Sequence, residues 1–108
     1  MEKLTLKKPL HTLAGEEINE LSFNFDGLTA RDYTKIVKLE ARLKGSEPSL
    51  DISSLSKKAS TEFAIATAWI AALKATPHVC FDDIDGLSFI DLMEISQLGS
   101  FFILGVSE

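Results

Sequence analysis

The stretch from Phe63 to Ala75, FAIATAWIAALKA, constrains this chain more than any other. Between Phe63 and Leu73 only Thr67 interrupts the apolar residues. At helical spacing Phe63, Ala66, Ile70 and Leu73 form one stripe, and Ile65, Trp69 and Ala72 a neighbouring one. Ala64, Ala68, Ala71 and Ala75 make a third stripe, of small side chains, where a second backbone can come close. A helix apolar on nearly every side must be covered on nearly every side, and 108 residues supply little material for that. The plain reading is a central core helix. The sharper reading keeps one face, through Phe63, Trp69, Ile70 and Leu73, for another polypeptide, and the two are compatible. The run falls short of the ~20 residues that span a bilayer, so no membrane partner is expected.

Composition narrows the class further. An apolar content of 45% and a charged content of 25% are those of an ordinary globular protein. The length fits a single domain, 1–108, able to bury about two-thirds of its unfolded surface. A formal net charge of −5 argues against nucleic acid as a partner. The one cysteine, Cys80, allows no intrachain disulfide and fits a reducing cytoplasm. The start, MEKLTLKKPL, has lysines but no sustained apolar core, and does not read as a secretory signal.

Along the chain, Leu4, Leu6 and Leu10 alternate with polar residues and predict a strand over Glu2 to Leu10. Pro9 cannot donate a ladder hydrogen bond, which places that strand at an edge or ends it there. After a turn at Gly15, Leu21, Phe23 and Phe25 alternate in a second strand, with Ile18 on the opposite parity, where a bulge or late start is expected. Thr29 and Asp32 open a first helix that Gly45 stops. Its inner side is read as Tyr33, Ile36, Val37, Glu40 and Leu43, with Leu39 beside it. Arg31, Lys35, Lys38 and Arg42 fall on one stripe, read either as a solvated face or as a contact for an acidic protein partner. Residues 45–56 form a serine-rich linker carrying Pro48. The apolar helix ends before Pro77, and Ser88 with Asp91 starts the last helix. Its inner stripe is read as Leu92, Ile95, Leu98 and Phe102, widened by Ile90, Met93 and Phe101. Two phenylalanines, Phe101 and Phe102, near the end of the chain must pack on something, and both join the candidate protein-binding residues. The fold expected is α+β and mainly helical: an N-terminal β-hairpin (1–27) packed against three helices, over 29–44, 57–75 and 89–102.

No motif of catalysis or metal binding emerges. Anchoring a calcium-loop pattern on Gly86 puts Phe81 and Leu92 where the first and last ligands belong, so the acidic run at Asp82, Asp83 and Asp85 fails as a calcium site. His78 and Cys80 lack the further ligands of a zinc set. As a nucleophile pair they lack an orienting group. Phosphate-cradling loops and nucleophile elbows are missing from the sequence as well. No enzyme activity, cofactor or metal is expected.

Three pieces of the chain, taken in order, carry a family resemblance: LTLKKPL followed by GEEINELSF; LTARDYTKI; and the apolar helix leading through ATPHVCFDDIDGLSFIDLMEISQLGSFF. Their order and spacing resemble the small tail assembly chaperones of long-tailed phages and prophages, including those of Mu-like phages. The 45–56 linker lies outside the match, and His78 and Cys80 add nothing to it. The resemblance implies a non-catalytic protein of the bacterial host cytoplasm. It would bind the tape-measure protein, keep that helical chain soluble, and help recruit tail-tube protein. The crowded apolar helix adds the expectation of a homo-oligomer. The competing readings are a structural subunit of a phage particle, and a small acidic regulatory or secretion-type chaperone with another client.

Overall fold

A computed structural model describes residues 2–45, 61–76 and 78–104 of the chain. Strands β1 (Glu2–His11) and β2 (Glu17–Phe23) pair antiparallel as a hairpin. Helices α1 (Ala30–Lys44), α2 (Thr61–Ala75) and α3 (Phe89–Leu104) follow, with short 3-10 segments at Phe25–Gly27 and Phe81–Gly86. This is the α+β, mainly helical architecture that the sequence predicts. Residues 46–60, which hold nearly all of the expected linker and the expected start of the second helix, lie outside the described residues.

The hairpin buries Leu6, Leu10, Leu21 and Phe23 on one face. Its register is regular from Glu2↔Phe23 to Thr5↔Glu20, then jumps to Leu10↔Ile18. The irregularity expected at Ile18 is therefore real, but the extra residues sit on β1, around Pro9. Proline has no N–H to lose there, and the ladder gap costs less as a result.

Helix α1 begins where the capping box forms, with the Asp32 carboxylate accepting from the Thr29 N–H at 2.9 Å. It ends at Gly45, whose φ of 72° is the left-handed conformation that glycine adopts without a Cβ penalty. The buried side of α1 is Asp32, Ile36, Val37, Leu39 and Ala41. Leu39, placed beside the inner stripe from the sequence, is fully buried, whereas Tyr33, Glu40 and Leu43 sit at the margin. The stripe is rotated because Asp32 turns inward to meet Lys74 of α2, at 2.8 Å.

Helix α2 is the centre of the molecule and packs on α1, α3 and the hairpin. Nine consecutive residues, Ala64 to Ala72, are buried. Thr67, the polar interruption, returns its hydroxyl to the Phe63 carbonyl four residues back, at 2.9 Å. The alanine stripe admits other backbones as its size suggests. Gly99 of α3 lies so close to Ala64 that a Cβ on Gly99 would fall 2.0 Å from the Ala64 carbonyl oxygen. Seven residues on, the Ala71 carbonyl accepts the Asn24 N–H at 3.0 Å. At the end of α2 the Thr76 hydroxyl accepts from Ser22 N–H and donates to Ser22 C=O, both at 2.9 Å. The outer edge of β2 is thus closed at Ser22 by a helix terminus.

Helix α3 buries Asp91, Ile95 and Gly99, with Leu92, Met93 and Leu98 partly covered. The inner stripe differs from the apolar pattern because a carboxylate and a glycine occupy two of its positions. Ile90, Phe101 and Phe102, assigned to that stripe from the sequence, are exposed.

Candidate protein-interaction site

The candidate protein-binding residues divide into two groups. Trp69 is completely buried, and its indole N–H donates to the Phe81 carbonyl at 3.0 Å. Ile70 is buried beside it in the core. Neither offers surface to another polypeptide, so both belong to the core and not to an interface. The material that covers them is the hairpin, α1, α3 and the Phe81–Gly86 segment. The crowding of α2 therefore demands no partner. Phe63 and Leu73 are half-buried against the same core.

The second group lies at the end of α3. Phe101 is 37% exposed, Phe102 43% and Leu104 64%. Phe102 is anchored at one side: its ring stacks on Phe25 at 4.8 Å between centroids, and Phe25 stacks on the buried Phe23 at 5.9 Å. At the start of the helix Phe89 and Ile90 are also exposed. Ile90, Phe101 and Leu104 recur at helical spacing on the outer face, with Glu94 and Gln97 between them. The sequence does not single out Phe89, Ile90 and Leu104 as candidates, because apolar residues fall on several sides of this helix and the buried Asp91 and Gly99 blur which side faces in.

The basic stripe of α1 is partly consumed. Arg31, Lys35 and Lys38 are exposed. Arg42 instead forks between Asp82, at 2.6 Å, and Asp85, and its guanidinium lies 5.8 Å from the centre of the Phe81 ring. Those carboxylates hold the guanidinium in its charged form, with Asp82 the stronger influence. The acidic run is thus engaged within the chain, and Asp83 is buried.

Three aspartates join helix starts to distant segments. Asp32 serves the Thr29 cap and Lys74 together. Asp83 caps the 3-10 segment through the Cys80 N–H and also accepts the Leu13 N–H, each at 2.8 Å. Asp91, completely buried, accepts from the Ser88 hydroxyl and from the N–H groups of Lys7 and Lys8, at 2.8 and 3.1 Å. Its reach fills the gap in the β1 ladder. All three carboxyls are held below the ordinary aspartate range. For Asp32 the hydrogen bond from Lys74 leads. For Asp83 and Asp91 burial pushes the other way, and the backbone N–H donors outweigh it.

The Cys80 thiol is exposed. His78 sits in a turn at φ 69°. Among the described residues no three His, Cys, Asp or Glu side chains gather as a metal site, and no helix is long and apolar enough to cross a membrane. No family model, curated protein or solved structure matches the chain. What the geometry offers is surface: exposed apolar side chains at the two ends of α3 and a short basic face on α1.

Proposed function

We propose that this protein is a non-catalytic tail assembly chaperone of a long-tailed phage or prophage. It works in the bacterial cytoplasm, binds the tape-measure protein, and helps recruit tail-tube subunits. The observation that carries the reading is the set of apolar side chains left exposed on the outer face of α3, Ile90 at its start and Phe101 and Leu104 at its end, although the same chain buries all of Trp69. The ordered sequence resemblance supports the same role. A tape measure is a long helical chain with apolar stripes, and an amphipathic helix laid against this face would cover both. Full burial of one large apolar side chain contributes roughly 1.5–3 kcal/mol. Exposed ion pairs at Arg31, Lys35 and Lys38 would add about 0–1 kcal/mol each, weakened by salt. Apolar contacts therefore set the affinity and the basic face sets the association rate.

The test is co-expression with the long helical product of the adjacent gene, followed by size exclusion and composition analysis. A co-eluting complex is expected. Phe101→Ala combined with Leu104→Ala should abolish it while leaving the hairpin and α1 folded. Failure to form a complex, or a complex indifferent to these two residues, rejects the reading.

A further inference from the structure

The hairpin has two outer edges, and they are treated differently. Ser22 turns its N–H and C=O away from β1, where Thr76 meets them, so the Lys3↔Ser22 pair is one of the non-hydrogen-bonded pairs of the ladder. Alternation then directs the N–H and C=O groups of Lys3 and Thr5 outward from the opposite edge. The next outward N–H on that edge, Lys7, is taken by Asp91. Nothing among the described residues takes those of Lys3 and Thr5. The open stretch therefore runs from Glu2, where the strand begins, to Leu6, just before α3 closes it.

We propose that this stretch pairs with the same stretch of a second copy, antiparallel and centred on Leu4. The open stretch is symmetric about Leu4, as a two-fold contact requires. In that register Lys3 faces Thr5 of the other copy and exchanges both backbone hydrogen bonds with it, while the two Leu4 residues meet on the axis. No like charges stand directly opposite. Thr5 pairs with Glu20 within the hairpin. Each Lys3 ammonium consequently reaches across a short Thr5 side chain toward Glu20 of the other copy, giving charge complementarity along the row. The product is one continuous four-stranded sheet. It replaces the apolar face of α2 as the seat of self-association. It does not depend on the identity of any client.

Sedimentation and amide hydrogen exchange test it, on the full chain without an N-terminal extension. A dimer at high micromolar concentration is expected, with the Lys3 and Thr5 amides protected and their protection lost on dilution. Thr5→Pro removes an N–H that the single copy does not use, and should give a folded monomer by circular dichroism. Should that variant fail to fold, Leu4→Cys in a Cys80→Ser background replaces it. Cα atoms in such a facing pair are about 4.5 Å apart, within disulfide range, so the dimer should cross-link under mild oxidation. The proposal is overturned by a wild-type monomer, by a dimer whose Lys3 and Thr5 amides exchange freely, or by a dimer in which Cys at position 4 does not cross-link. Protection that appears only on adding a client, with the chain still monomeric, assigns the edge to a client strand and overturns it equally.

Discussion

A single carboxylate, Asp91, ties the last helix to the first strand. Replacing it with alanine strands the Lys7 and Lys8 N–H groups and removes the partner of the Ser88 hydroxyl. The expected loss is about 2–4 kcal/mol, measured by urea unfolding at neutral pH. Asp91→Asn keeps one acceptor oxygen and should cost less. The same chemistry makes the protein acid-sensitive. Asp32, Asp83 and Asp91 are all easier to ionise folded than unfolded, so the unfolded chain binds more protons in acid and stability rises with pH. Their contribution is complete above the unfolded value of about 3.9 and is lost as pH falls through the lower folded values. Urea midpoints should therefore fall steeply below about pH 4, and less steeply in Asp91→Asn. Two of the three carboxylates were legible as helix starts, from Thr29 and Asp32 and from Ser88 and Asp91. Their second partners were not, because Lys7 and Lys74 lie in other elements. Asp83 carries no such signal in the sequence, because cysteine is not a usual capping residue.

At the level of elements, the α2–α3 contact is set by two small residues. Gly99→Ala would press a methyl group into the backbone of Ala64, and the helices must separate to accept it. A loss of about 1–3 kcal/mol is expected, visible as a lowered melting temperature. Trp69→Ala should cost about 3–5 kcal/mol, as a core truncation that also leaves the Phe81 carbonyl without its donor. The helices themselves were legible from apolar runs, caps and the stops at Gly45 and Pro77. The orientation of α2 and α3 was not. Trp69 and Phe101 both stand in apolar stretches of the sequence, and it takes the packing of α2 against the hairpin, α1 and α3 to make one core and the other surface.

For the whole molecule, the separation between apolar and charged surfaces gives a test by salt. On the proposed function, capture of a tape-measure segment should persist at high ionic strength and disappear with Phe101→Ala and Leu104→Ala. Arg31→Glu with Lys35→Glu should slow association several-fold at low salt and leave the dissociation rate nearly unchanged. Binding that collapses in moderate salt and survives loss of the α3 residues would place the client on α1 instead.

The clasp between Asp91 and the Lys7–Lys8 backbone spans more than eighty residues. On the ribosome the hairpin emerges well before the residue that completes its irregular strand, which follows more than eighty residues later. Until then the apolar faces of the hairpin and of α2 have no α3 to cover them, and long-range closure of this kind is slow. A nascent chain stalled before Ser88 should be protease-sensitive throughout, hairpin included, and extension through α3 should convert it to the resistant form in one step. The order of manufacture therefore does not set an order in which the elements of this fold become stable.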